Sequence, residues 1–153
     1  MYKQILAPVD GSPTSNRGVV EAIGLAKDQN AKLIFLHVVD VHLVTVDMSG
    51  AVNMAEVLDI LREAGAKILA AATASAVKAG VVAETVIVDS MIGRIGNEVV
   101  RQAEAWPADL IVMGTHGRRG VGRLFMGSDA ETVIRTSPVP VLLVRSAEEA
   151  SPR

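Results

Sequence analysis

The sequence predicts an open α/β fold: a parallel sheet of five strands with helices packed over it. Three observations carry this. Short apolar runs alternate with segments of helical period, in the order β-α-β-α-β-α-β-α-β. Most of the runs are apolar at nearly every position, as strands buried on both faces must be. The chain has 153 residues, 50% of them hydrophobic and 21% charged, which suits one domain with a real core and excludes disorder.

Residues 5–9 form the first strand, and Asp10-Gly11-Ser12-Pro13 a turn after it. Ser12 with Pro13 behind it is an N-cap and N1 pair. The helix it starts covers residues 15–27, with Val19, Val20, Ile23 and Ala26 on one side. Residues 33–39 (LIFLHVV) are the second strand. The connection 40–53 is long and apolar; it is either a lid or contact surface, or a segment packed locally over the sheet edge. A long helix spans 53–78, with Met54, Leu58, Leu61, Ile68 and Ala72 near a 3.6 period, and Gly80 stops it. Strand three is 82–88, helix three 95–105 and strand four 110–113. Helix four is 128–135, and Ser128-Asp129-Ala130-Glu131 reads as its capping box. Strand five is 139–144. The domain spans 1–146, and 147–153 is a polar tail.

Composition removes several functions. Lys plus Arg is 15 and Asp plus Glu is 17, a net charge of −2, which leaves no electrostatic footprint for nucleic acid. Aromatics are 3%, too few to stack on bases. There is no cysteine, so disulfides, thiolate metal sites and thiol catalysis are excluded. The three histidines, His37, His42 and His116, do not converge as zinc ligands do. The first residues lack a signal peptide, and no apolar run is long enough to span a bilayer, so the expected address is the cytoplasm.

Ligands of open α/β sheets sit at the carboxyl ends of the strands. The loop after strand four is the informative one. It holds Gly114, Gly117, Gly120, Gly122 and Gly127 with Arg118, Arg119 and Arg123, and it opens directly into helix four. Glycines permit close backbone approach, arginines pair with phosphate, and helix-start amides favour an anion. The combination reads as a phosphate cradle, against a solvated loop that needs glycine only to turn. Gly122-x4-Gly127-Ser128 lacks the lysine of a P-loop, so that class of NTPase is set aside. Gly120-Val121-Gly122 does not follow the first strand and is no dinucleotide fingerprint. Met113 and Met126 read as packing residues, and Arg94 as a minor phosphate candidate.

Gly114, Gly117, Gly127 and Ser128 hold the spacing Gly-x2-Gly-x9-Gly-Ser. With the opening Ile5-Leu6-Ala7-Pro8-Val9-Asp10-Gly11-Ser12, the His37-Val38-Val39 end of strand two and the closing 137–144 segment, the chain resembles the universal stress protein family in its ATP-binding class. The resemblance covers nearly the whole chain. It implies a Rossmann-like sheet of the adenine nucleotide alpha hydrolase type, ordered 3-2-1-4-5 with helices on both faces, an ATP site and a homodimer.

Carried over, it places Pro8, Val9 and Asp10 along the nucleoside, with Asp10 near the ribose or a phosphate-bound Mg2+. Val39 offers backbone groups to adenine. Met113 and Gly114 flank the ribose and first phosphate. His116, Gly117, Arg118, Gly127 and Ser128 hold the phosphates. Asp129 stands where many relatives carry an apolar residue; its carboxylate either repels phosphate or helps hold magnesium. The residues taken alone also have plainer roles, Asp10 as a turn residue and Ser128 as a cap.

No strong general base can be read beside a water position, so the expected function is a nucleotide-dependent stress-response regulator with at most slow ATP hydrolysis or autophosphorylation. Ser128 and Thr115 are the acceptors to test. The ligand is ATP, with ADP or AMP as alternatives. The rival functions are a nucleotide-free interaction module and a nucleotide hydrolase or transferase on the same fold. Strand 139–144, next to Pro138 and containing Pro140, reads as an edge strand that pairs with its copy in a homodimer. Protein partners beyond that have no signature in the sequence.

Overall fold

The computed structural model describes residues 1–42, 53–91, 94–116 and 126–145. Five strands alternate with four helices: β1 (Gln4–Pro8), α1 (Pro13–Gln29), β2 (Lys32–Asp40), α2 (Met54–Lys78), β3 (Ala83–Ser90), α3 (Ile95–Ala105), β4 (Leu110–Gly114), α4 (Ser128–Thr136) and β5 (Val141–Val144). The strands form one sheet in the order β3-β2-β1-β4-β5, and every neighbouring pair is parallel.

Alternation along the strands builds two cores. Ile5 and Ala7 of β1, with Leu33 and Phe35 of β2, face α1 and α2, where Val19, Ala22, Ile23, Leu69 and Ala72 meet them. Leu6, Ile34, Leu36 and Ile111 face the other way, onto Val99, Ala103, Ala130 and Val133 of α3 and α4. The central strands therefore have no polar face, which explains their continuous apolar runs. β3 lies at one edge and exposes Glu84 and Thr85. β5 is the other edge.

The helix boundaries follow local chemistry. Ser12 caps α1, accepting from the Ser15 N–H at 3.3 Å with Pro13 behind it. Asn30 ends α1 in the left-handed region at φ 52°. Gly80, at φ 75°, follows the end of α2.

Several expectations need correction. α1 covers 13–29 rather than 15–27, β3 covers 83–90 rather than 82–88, and Met126, read as a packing residue, is 40% exposed. Val20 is 55% exposed, because the buried stripe of α1 runs through Val19, Ala22, Ile23 and Ala26 instead. β5 begins at Val141 rather than 139, since proline at 138 and 140 supplies no N–H to a ladder; the Pro140 carbonyl still accepts from Ile111 at 3.0 Å. Ser128 is the first residue of α4 and not its cap: Gly127 occupies that position, without a side-chain bond. Asp40 belongs to β2 rather than to the connection after it. Of that connection, Val41 is buried and its N–H reaches Ser90 O at 3.1 Å, while 43–52 lie outside the described residues.

Candidate functional site

Placing β1 beside β4 brings two loops together at the carboxyl end of the sheet, where the strand order reverses direction. The end of β1 contributes Pro8, and the β1–α1 turn contributes Val9 and Asp10. The end of β4 contributes Met113, Gly114 and His116, and α4 begins close by with Gly127 and Ser128.

The two loops are tied to each other. The Thr14 hydroxyl donates to the His116 carbonyl. A Cβ on Gly114 would stand 2.7 Å from the Thr14 carbonyl carbon and 2.9 Å from the Ser15 nitrogen. The start of α1 thus lies directly against the end of β4, and it is this contact that requires glycine at 114. The Gly127 N–H donates to the Thr115 carbonyl at 2.9 Å, and the Thr115 N–H to Val144 at 3.0 Å, so the beginning of α4 is fixed to the strand end.

The β1–α1 turn is internally bonded. The Ser12 N–H donates to Asp10 Oδ1 at 2.8 Å, and the Asp10 N–H to Ser15 Oγ at 3.0 Å. This is the local hydrogen-bonding geometry typical of aspartate at a turn. Metal binding through Oδ1 competes with the Ser12 bond. Among the described residues there is no group of three or more His, Asp or Glu able to hold an ion by themselves.

Val9, Val39, Met113 and Gly114 are buried, Pro8, Asp10, His116 and Gly127 half-buried, and Ser128 exposed. Gly117 and Arg118 lie outside the described residues. Asp129 has a role in the protein itself: its Oδ1 accepts the Gly96 N–H at 3.1 Å. It thereby caps the neighbouring helix α3, whose own N-cap residue, Arg94, makes no side-chain cap bond. Beside it, a groove of about 330 Å³ is lined by Arg94, Gly96, Asn97, Ser128, Asp129 and Thr132, so the starts of α3 and α4 share one polar opening.

The family model described as the universal stress protein family matches residues 1–145. The chain belongs to this family. Among its relatives, universal stress protein MJ0531 of Methanocaldococcus jannaschii is 36% identical over 97% of this chain and 85% of that protein. A solved universal stress protein family member from Burkholderia pseudomallei is 31% identical, with a TM-score of 0.76 over 94% of this chain and 96% of that one. A universal stress protein solved in complex with cAMP is 29% identical, with a TM-score of 0.70 over 95% and 99%.

Within this universal stress protein fold, several residues that support the site escaped the sequence reading. Thr14 and Ser15 are buried hydroxyl residues in the first turn of α1 and bind the two loops. The signal for them was a run of three hydroxyl residues around Pro13, directly after strand one. His37 stands out in the sequence as the one polar residue of the run 33–39, but its partners Val9 and Gly65 are far along the chain and only the fold brings them to it.

Proposed function

We propose that this universal stress protein binds an adenine nucleotide, ATP foremost, at the carboxyl ends of β1 and β4. It acts as a cytoplasmic, nucleotide-dependent regulator of the stress response rather than as a metabolic enzyme. The observation that carries the reading is the joining of the β1–α1 turn to the end of β4, beside the start of α4. Helix-start amides there favour anionic oxygens. The Gly-x2-Gly-x9-Gly-Ser spacing and the cAMP complex of a 29% identical relative support the same ligand class.

In this reading Pro8, Val9, Asp10 and Val39 line the nucleoside, and Asp10 meets the ribose or a phosphate-borne Mg2+. Met113 and Gly114 flank the ribose. His116, Gly117, Arg118, Gly127 and Ser128 hold the phosphates. The groove beside Ser128 takes the outer phosphates, with Arg94 as their cation. Arg94→Ala should then weaken ATP about tenfold and leave AMP unchanged, a difference calorimetry reads directly. Equal losses for both nucleotides would place the outer phosphates elsewhere.

Hydrolysis or self-phosphorylation is at most slow. Of the two acceptors, Ser128 is exposed, while Thr115 is buried with its hydroxyl 3.1 Å from His116 Nδ1, so Ser128 is the one to test. Turnover on the order of 1 per second or more would favour the hydrolase or transferase reading. The functional unit is the single domain 1–146, and it forms a homodimer through the β5 edge.

The deciding experiment is denaturation of the purified protein and mass spectrometry of the small molecule released. ATP or ADP establishes the ligand, and a Gly117→Val variant should come out empty. An empty wild type with no thermal shift in millimolar Mg-ATP leaves the interaction module as the better reading.

A further inference from the structure

We propose that His37 is a positioning residue for the nucleotide site: its imidazole holds the Val9 carbonyl and so sets the turn that carries Asp10. The inference rests on the reading that this turn lines the nucleotide.

His37 is the one polar side chain within the otherwise apolar run from Leu33 to Val39, and it is 6% exposed. A polar group in such a place needs a partner, and Nδ1 lies 2.7 Å from the Val9 oxygen. A carbonyl only accepts, so Nδ1 carries the proton. The bond lies where the strand ladder ends. Pro8 is the last residue of β1 in register, opposite Leu36, and the Val9 N–H still reaches the Leu36 carbonyl at 2.8 Å. The Val9 carbonyl then receives the ring of the next β2 residue.

The consequence for the turn follows from peptide planarity. The Val9 carbonyl and the Asp10 N–H belong to one rigid plane. His37 holds one end of it, and Ser15 Oγ, 3.0 Å from the Asp10 nitrogen, holds the other. With both ends held, ψ of Val9 and φ of Asp10 are set before any ligand arrives. The direction of the Asp10 side chain, which accepts from the Ser12 N–H, follows from them.

Gly65 of α2 supplies the seat for the ring. A Cβ there would stand 2.4 Å from His37 Cδ2 and 2.9 Å from Nε2, so the imidazole keeps its place only against a glycine. The helix α2 is thereby connected to the turn through one side chain, although it contributes no residue to the nucleotide site itself.

The test compares His37→Leu, which fills the space without a donor, with His37→Asn, whose side-chain amide can take the place of the Nδ1–H. Affinity for Mg-ATP is measured by calorimetry and stability by thermal unfolding. We expect His37→Leu to remain folded and to lose about tenfold in affinity. His37→Asn should recover most of that loss while being no more stable than the leucine variant. A folded leucine variant that binds like wild type would falsify the proposal, as would affinities that simply follow stability across the two variants. Hydrogen exchange at the Asp10 and Ser12 amides in ligand-free protein gives a second readout. It should accelerate in His37→Leu and return toward wild type in His37→Asn, with β2 amides unchanged. Unaltered exchange overturns the positioning role. If the wild type binds no adenine nucleotide, the reading of the site fails, and the exchange result still decides whether His37 sets the turn.

Discussion

At position 114 only a hydrogen atom fits. The neighbour a methyl group would meet is the backbone of Thr14, 2.7 Å away, which has no rotamer to change. Gly114→Ala should therefore push α1 from β4 and cost about 1–3 kcal/mol, read as a lower urea midpoint. Asp129 acts across an equally short range. Its carboxylate takes the Gly96 N–H at the start of α3, so Asp129→Ala should cost about 1 kcal/mol in the same measurement. Asp129→Asn, which keeps an oxygen there, should cost less. If Asp129 instead served mainly to hold magnesium, the alanine variant would keep its stability and lose Mg-dependent affinity. Single residues were legible in the sequence only where their partners are close along the chain. Ser12 read as a cap because its partner is Ser15. Thr14 bonds across 102 residues and His37 across 28; each stands out locally, Thr14 among hydroxyl residues and His37 in an apolar run, yet no local pattern names its partner. Ser128 shows the converse: the helix begins there as read, yet Ser128 is its first residue and not a capping side chain, the cap position being Gly127.

Among the elements, β2 carries the most packing. Phe35 is fully buried between the sheet and the helices α1 and α2. Phe35→Ala should cost about 3–5 kcal/mol in unfolding free energy, a large part of the stability of a domain this size. The surface of α3 makes a smaller, pH-dependent contribution. The Arg101 guanidinium donates to Glu98 Oε1 at 2.5 Å and Oε2 at 3.0 Å and holds the Glu98 carboxyl below its ordinary range, while partial burial acts upward. A carboxyl lowered in the folded state stabilises fully above its unfolded value of about 4.3 and loses that contribution as pH falls through the folded one. Glu98→Gln should thus lower stability at pH 7 by less than about 1 kcal/mol, given the solvent-exposed arginine, and make little difference near pH 3. Elements were more legible than residues. The third helix lies at 95–105, as its periodicity predicts, because periodicity is a property of one segment. The start of β5 was not, since whether Val139 joins a ladder depends on what the prolines beside it leave for β4.

For the whole molecule, sheet order is the decisive feature. Placing β1 between β2 and β4 puts the β1–α1 turn beside Gly114 at the end of β4, and leaves β3 and β5 as edges. On β5 Leu142 is 38% exposed, and on α4 Ile134 is 43% exposed. If two copies pair through this strand, Leu142→Asp should turn a dimer into a monomer by light scattering while the fold survives by circular dichroism. A wild-type protein of monomer mass would remove the homodimer from the reading.

Legible along the chain were the alternation of strands and helices, an aliphatic core, the exclusion of thiol chemistry and the glycine spacing on which the family resemblance rests. Each of these is a property of composition or of neighbours along the chain. The packing of α1 against β4 at Gly114, the capping of α3 by Asp129 and the bond from His37, seated on Gly65, to the turn at Asp10 emerge in the fold alone. Those are contacts between segments brought together by the parallel crossovers, and their energies depend on distances that no single segment encodes.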